Sequence, residues 1–70
     1  MNIILNGKNY SLEENFTVQK LLKKLEEDWS LDLRGAVVLV NDEIVKKDRW
    51  EESKIFENAE IEVLSFVSGG

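Results

Sequence analysis

The residues best suited to take part in a reaction lie at the end of the sequence, in Ser68, Gly69 and Gly70. Glycine has the greatest backbone freedom of any residue and no Cβ atom. A segment ending in two glycines can therefore enter a channel too narrow for side chains and present the carboxylate of Gly70 to a nucleotide. A frayed terminus or an artificial extension would have the same composition. These three residues alone leave a reactive and an inert end equally open.

The rest of the sequence offers little for catalysis. It contains no cysteine and no histidine, which excludes disulfides, the usual transition-metal sites and nucleophile–base pairs built on Cys or His. The acidic clusters at 13–14, 26–28 and 51–52 form no identifiable acid–base pair. A chain of 70 residues also has little room for a deep pocket beside its core. We therefore expect a protein that is not an enzyme and binds no cofactor or metal of its own.

The charge balance restricts the possible partners. The chain has 14 acidic and 9 basic residues and a formal net charge of −5. This disfavours nucleic acid and anionic membranes, which reward clustered Lys and Arg. The start of the sequence has no basic segment before a long apolar run, so it predicts neither a signal peptide nor a membrane span. We expect a cytoplasmic protein that is a monomer when free.

The first half of the sequence predicts a β-hairpin followed by a helix. Asn6 and Gly7 are the strongest two-residue hairpin signal, because both central residues of a type I′ turn need a positive φ. The hairpin is predicted over residues 2 to about 13. Thr17 is a good N-cap for the helix. Apolar residues follow it at helical spacing, at Val18, Leu21, Leu22, Leu25 and Trp29.

The second half predicts three strands separated by polar segments. Residues 36–40 are a continuous apolar run, which favours a central strand buried on both faces. Asn41 and Asp42 predict a turn into a short strand at 43–45, and the last strand is predicted over residues 60–67. Residues 30–34 read as a polar connection. The charged segment that follows has Trp50 as its apolar anchor, and both tryptophans, at 29 and 50, are interpreted as fillers at the edge of the core.

The predicted order of elements is β-β-α-β-β-β. Such an order favours an α+β fold in two layers, with one helix packed across a mixed sheet of four to five strands. This is the β-grasp, or ubiquitin-like, architecture. We expect residues 1–67 to form the β-grasp domain and residues 68–70 to form a flexible diglycine tail.

With this fold and tail together, the sequence resembles the ThiS family of sulfur carrier proteins of the thiamine pathway, over nearly the whole chain. The departures are Lys46, where the family often has Pro, residues 57–60, which replace a Gly-Asp turn, and a long connection at 29–34. Asn58 is expected to adopt the left-handed conformation in place of that glycine. The similarity rests on Asn6-Gly7, on Thr17-Val18 with Leu21, Leu22 and Leu25, on residues 36–41 with Glu43 and Val45, on Trp50, and on Ile61-Glu62-Val63 leading to Phe66, Val67, Gly69 and Gly70.

The resemblance implies a role for the tail. A ThiF-type adenylating enzyme uses ATP to form an acyl-adenylate on Gly70, and sulfur from a donor such as a cysteine desulfurase converts it to a thiocarboxylate. The thiocarboxylate then donates sulfur to thiazole synthase, ThiG. Gly69 and Ser68 would thread through a narrow channel of the partner enzyme.

A docking surface for these enzymes is expected beside the tail. If Ile61, Val63 and Ser65 face the helix, Leu64 and Phe66 face away from it. We expect Leu64, Phe66 and Val67 to form an apolar patch that contacts the partner.

Other functions remain open at this stage. A carrier of the MoaD type would supply sulfur for molybdopterin, and a related carrier would supply it for tRNA thiolation. A ubiquitin-like modifier would instead join Gly70 to a lysine amine of a target protein. In a plain interaction domain the tail would be inert.

Overall fold

The structure is a computed structural model that describes residues 1–65, and in this range the chain folds into five strands and one α-helix. A single turn of 3₁₀ helix, Lys47–Arg49, lies between the fourth and fifth strands. The elements are β1 (Asn2–Leu5), β2 (Lys8–Ser11), α1 (Val18–Trp29), β3 (Val37–Val40), β4 (Glu43–Val45) and β5 (Glu60–Leu64).

The strands form one mixed sheet in the order β2-β1-β5-β3-β4. The β1 and β5 strands pair in parallel, and the other neighbours are antiparallel. Helix α1 follows the first hairpin and covers one face of this sheet with its apolar side. The predicted β-grasp architecture is confirmed.

The prediction that residues 36–40 form the central strand was wrong. The centre of the sheet is β5, and β3 lies between β5 and β4. Val38 is fully buried against the helix side, whereas Val37 and Leu39 are only half-buried. Among residues 1–65 the helix covers one face only, so within this range the apolar side chains of β3 on the other face have no layer packed over them.

Both predicted turns have the backbone that a two-residue hairpin requires. Asn6 and Gly7 have φ values of 50° and 82°, and Asn41 and Asp42 have values of 50° and 68°. Positive φ at both central residues gives the turn a twist that matches the strands. Asn58 also adopts a left-handed conformation, with φ 66°, as predicted.

Helix α1 begins and ends as its sequence predicts. The Thr17 hydroxyl accepts a hydrogen bond from the Lys20 amide at 3.3 Å, and Ser30 ends the helix in the left-handed conformation. Trp29, the last residue of the predicted apolar pattern of the helix, does not join the buried face. It is 38% exposed and lies over the first hairpin rather than in the core. The buried face of the helix comprises Val18, Leu21, Leu22 and Leu25.

The long connections contribute more to the core than their polar composition suggests. Leu33 is buried in the segment predicted to be polar, and the Glu26 carboxylate accepts a hydrogen bond from its amide at 2.8 Å. Trp50 is also buried, and its indole Nε1 donates to the Val45 carbonyl at 3.0 Å. This bond lets the indole enter the core without leaving its polar atom unpaired.

The last strand ends earlier than predicted. It spans Glu60–Leu64, and Ser65, which was expected to face the helix, is exposed beyond the strand. The predicted continuation through residues 66 and 67, and the tail at 68–70, lie outside the described residues.

Candidate docking surface on the outer face of the sheet

The side chains of β5 alternate strictly between the core and solvent. Ile61 and Val63 are buried beneath helix α1, whereas Glu60, Glu62 and Leu64 are exposed. These three residues lie on the face of the sheet opposite the helix, which we call the outer face. Leu64 is 43% exposed there, close to the end of the described chain.

Apolar residues from β3 and β4 extend the surface that Leu64 begins. Val37 pairs directly with Leu64, and Leu39 pairs with Glu62 on one side and with Ile44 on the other. Ile44 is 67% exposed. We call Val37, Leu39, Ile44 and Leu64 the outer-face patch. Such a contiguous exposed apolar surface is typical of a contact site for another protein.

Two carboxylates lie beside the outer-face patch. Glu60 and Glu62 project from β5 on the outer face. Ile4 of the neighbouring strand β1 pairs with Glu60, so the two carboxylates lie between Ile4 and the patch. Together with Asn6 and Leu64 they border an open groove of about 430 Å³. The surface that best complements this face is apolar and carries basic groups opposite the carboxylates.

The structure describes only one residue of the predicted site, Leu64. It places Leu64 on the outer face, while Phe66, Val67 and residues 68–70 lie outside the described range. The sequence analysis missed Val37, Leu39 and Ile44. Residues 36–40 are all apolar, so no polar alternation marks the exposed face, and the strand was interpreted as buried on both faces. Only the two-residue repeat of a strand indicates that positions 37 and 39 share a face.

The pKa shifts elsewhere have local structural causes. Hydrogen bonds from the Arg34 side chain, and then from its backbone amide, lower the pKa of Asp32 from the ordinary 3.8 to about 2. Partial burial raises the pKa of the Tyr10 hydroxyl, and its hydrogen bond to Asp28 raises it further. Asp32 is exposed and Tyr10 packs against the core, so neither arrangement forms a catalytic cleft.

Within residues 1–65 the side chains do not assemble a metal site. No three carboxylates lie close enough together there to hold a metal ion. In the same range, no helix has the length and apolar composition needed to cross a membrane. The outer face of the sheet is therefore the strongest candidate for a functional surface among the described residues.

The sequence matches the model of the ThiS family over residues 3–70. The chain belongs to the ThiS family. The match covers the β-grasp domain and continues through both C-terminal glycines, including the residues that the structure does not describe. No curated protein matches the sequence significantly.

Solved structures of a ThiS protein share the fold. The chain is similar to the crystal structure of the thiamine biosynthesis protein ThiS from Geobacter metallireducens, with 25% identity, full coverage of both chains and a TM-score of 0.83. It is also similar to the NMR solution structure of a thiamine biosynthesis protein from that organism. That comparison gives 25% identity, coverage of 100% of this chain and 88% of the other, and a TM-score of 0.79.

Proposed function

We propose that this chain is a sulfur carrier protein for the formation of the thiazole of thiamine. The family match through residue 70 is the observation that carries the proposal, because it includes Gly69 and Gly70 as well as the fold. The similarity to a thiamine biosynthesis protein supports the choice of pathway. In this proposal the protein is cytoplasmic and is a substrate of other enzymes rather than an enzyme.

The reactive group is the carboxylate of Gly70. A carboxylate is a poor electrophile, so a ThiF-type enzyme first joins it to the α-phosphate of ATP and releases pyrophosphate. A sulfur nucleophile, supplied by a donor such as a cysteine desulfurase, then attacks the carbonyl carbon and displaces AMP. With sulfide as the nucleophile the product is a thiocarboxylate. With a desulfurase-derived persulfide the product is an acyl disulfide, and a thiol reductant then cleaves its S–S bond to release the thiocarboxylate. The thiocarboxylate passes its sulfur to thiazole synthase. The chain itself needs no cysteine for these steps, consistent with its composition.

The outer face of the sheet positions the carrier on its partners. Leu64 and the rest of the outer-face patch provide apolar contact area, and we expect Phe66 and Val67 to contact the partner as well. Glu60 and Glu62 pair with basic groups of the partner, which favours correct encounters and fixes the orientation of the complex. Ser68 and Gly69 then pass through a narrow channel to the nucleotide.

The two parts of the chain have different tasks. Residues 1–67 fold and dock, and residues 68–70 react. A side chain at position 69 would collide with the walls of the channel, so a small residue is required there. The carrier works as a monomer, because the outer face must be free to meet its partners in turn.

The deciding experiment is the intact mass of the chain after incubation with ATP, a ThiF-type enzyme and a sulfide source. We expect a mass increase equal to the exchange of one oxygen for sulfur. The control is the same chain without Gly70, which should remain unchanged. If the full chain also stays unchanged under conditions that convert an established carrier, the proposed function is wrong.

A second assay identifies the acceptor. The thiocarboxylated chain is mixed either with thiazole synthase and its substrates or with the large subunit of molybdopterin synthase. Thiazole formation with the first enzyme alone supports the proposal. Transfer to the molybdopterin precursor alone would assign the chain to the other pathway, and lysine conjugates that resist reductant would indicate a protein modifier.

A further inference from the structure

Strand β2 lies at one edge of the sheet, and its pairing with β1 identifies the backbone groups that face outward. Met1 and Leu12 exchange hydrogen bonds in both directions. In an antiparallel pair such positions alternate with positions whose backbone groups point away from the partner strand. The Ile4 amide, opposite Asn9, follows this alternation because it donates away from β2. The amides and carbonyls of Asn9 and Ser11 therefore face the outer edge, where β2 has no second neighbouring strand within residues 1–65.

A groove with aromatic walls runs beside this edge on the helix side of the sheet. Tyr10 pairs with the buried Ile3, and Lys8 pairs with the buried Leu5, so Tyr10 and Lys8 both lie on that side. Trp29 at the end of helix α1 forms the opposite wall. The space between them is open and measures about 420 Å³. We call Lys8, Tyr10 and Trp29, together with the outward side of the strand, the β2 groove.

The β2 groove is already formed in the free chain. The Tyr10 hydroxyl donates to the Asp28 carboxylate at 3.2 Å, and Lys24 Nζ lies 3.9 Å from the same carboxylate. The turn of the hairpin is attached to β5 by Asn6, whose Oδ1 accepts from the Val63 amide at 2.8 Å. A surface that is fixed in advance loses less conformational entropy when a partner binds.

We propose that the β2 groove binds an extended segment of another protein, which adds to the sheet as an antiparallel strand beside β2. The backbone of this segment pairs with the outward amides and carbonyls of Asn9 and Ser11. Its side chains alternate between the two faces, so every second one enters the groove. The residue opposite Tyr10 is apolar because it lies between the rings of Tyr10 and Trp29, and the residue opposite Lys8 is acidic.

The charges favour a segment with a single acidic residue over a second copy of this chain. Within residues 1–65 Lys8 forms no ion pair, whereas Lys24 already lies against Asp28. The chain has a net charge of −5, so a second copy or a strongly acidic segment would be repelled. The sheet order places β1 between β2 and the strands of the outer-face patch, which leaves that patch free. The inference is therefore independent of the proposed function.

The test uses a synthetic peptide, capped at both ends, of sequence Thr-Val-Thr-Val-Thr-Glu-Thr. Paired antiparallel to β2, it places its second valine opposite Tyr10 and its glutamate opposite Lys8. An NMR titration gives the Kd, and at ten times this concentration we expect the Asn9 and Ser11 amides to exchange about tenfold more slowly. The Leu64 amide should be unaffected. A titration to several millimolar that leaves both edge amides unshifted, or shifts only the outer-face patch, would overturn the inference.

Asn9→Pro blocks the edge at a position whose amide does not pair with β1. Proline removes one outward donor and is tolerated in an edge strand on the side that faces solvent. We expect the affinity for the peptide to fall at least tenfold in Asn9→Pro. Asn9→Ala keeps the amide and should bind as the unmodified chain does. Equal affinities for the two folded variants would show that the peptide does not pair with β2.

Lys8→Glu provides a second test if Asn9→Pro does not fold. The unmodified chain should prefer the glutamate peptide to one with lysine in its place, and Lys8→Glu should reverse this preference. The same preference in both chains would mean that the segment does not lie opposite Lys8, and the inference would be wrong. Sedimentation of the chain without peptide covers the remaining occupant. A dimer that Lys8→Glu weakens would assign the edge to a second copy and overturn the proposal.

Discussion

Leu64 of β5 lies directly opposite Val37 of β3 on the outer face of the sheet, although the two residues belong to strands far apart in sequence. Through this pair the apolar surface at the end of β5 continues across β3 to Ile44 of β4. The proposed docking surface is therefore shared by three strands, and its contribution can be tested at single exposed positions.

Leu64→Asp should weaken recognition by the adenylating enzyme without unfolding the carrier. We expect kcat/KM for adenylation to fall about tenfold or more, as for a contact near the centre of an interface. The free energy of unfolding should change by less than about 0.5 kcal/mol because Leu64 is exposed. The control is Phe56→Asp, at a residue that is 71% exposed and precedes β5. Normal adenylation of Leu64→Asp would exclude this residue from the interface.

Glu62→Lys should slow the association of the carrier with its partner. A lysine would place a positive charge where we propose that basic groups approach, and rim charges act mainly on the association rate. The effect should shrink as salt rises toward 1 M, where the screening length is about 3 Å. Glu13→Lys makes the same change in net charge in the connection before the helix. Stopped-flow association rates that are equal for the two variants would contradict the proposed pairing.

Leu33→Ala should destabilise the fold although it lies in a loop. Leu33 is 1% exposed, so its truncation leaves a cavity and should cost about 2–5 kcal/mol. Leu31→Ala is the matched control, because Leu31 is 39% exposed and only two positions away. Its cost should stay within about 0.5 kcal/mol. Urea denaturation of both variants measures the difference, and equal midpoints would show that Leu33 is not part of the core.

Trp50→Phe should destabilise the fold more than Trp29→Phe. The first change removes the indole bond to the Val45 carbonyl, which costs about 1–3 kcal/mol when the acceptor is left unpaired. The second occurs at a side chain that is 38% exposed. Thermal unfolding followed by circular dichroism compares the two. A Trp29→Phe variant with the lower melting temperature would reverse the assignment of the buried tryptophan.

Asp32 should give a pH dependence confined to acid. Its pKa is about 2 in the folded protein and ordinarily 3.8, so it contributes to stability above pH 3.8 and loses this contribution as the pH falls toward 2. The pKa, measured by NMR from the carboxyl chemical shift, should rise in Arg34→Ala. It should not reach 3.8, because the Arg34 amide still donates to the carboxylate. An unchanged titration in that variant would exclude the Arg34 side chain as the main cause.

The sequence predicts well those features that depend on neighbouring residues. The positive φ at Asn6 and Gly7 follows from the needs of one turn, and the start of α1 at Thr17 follows from one hydroxyl and the amide three residues later. The alternation of Ile61, Glu62 and Val63 likewise predicts which face each occupies. The resemblance to the ThiS family adds the expected role of Gly70, a residue that the family match covers and the structure does not describe.

The sequence by itself determined the hairpin, the helix, the β-grasp order and the diglycine end, because these depend on local backbone preferences and on periodicity. Only the tertiary structure decided that β5, not β3, is the central strand, and that Val37 and Ile44 join Leu64 on one surface. It also decided the burial of Leu33 and the contact of Asn6 with Val63. Each of these depends on strand pairing or packing between residues distant in sequence, and the pattern of either segment alone does not specify its partner.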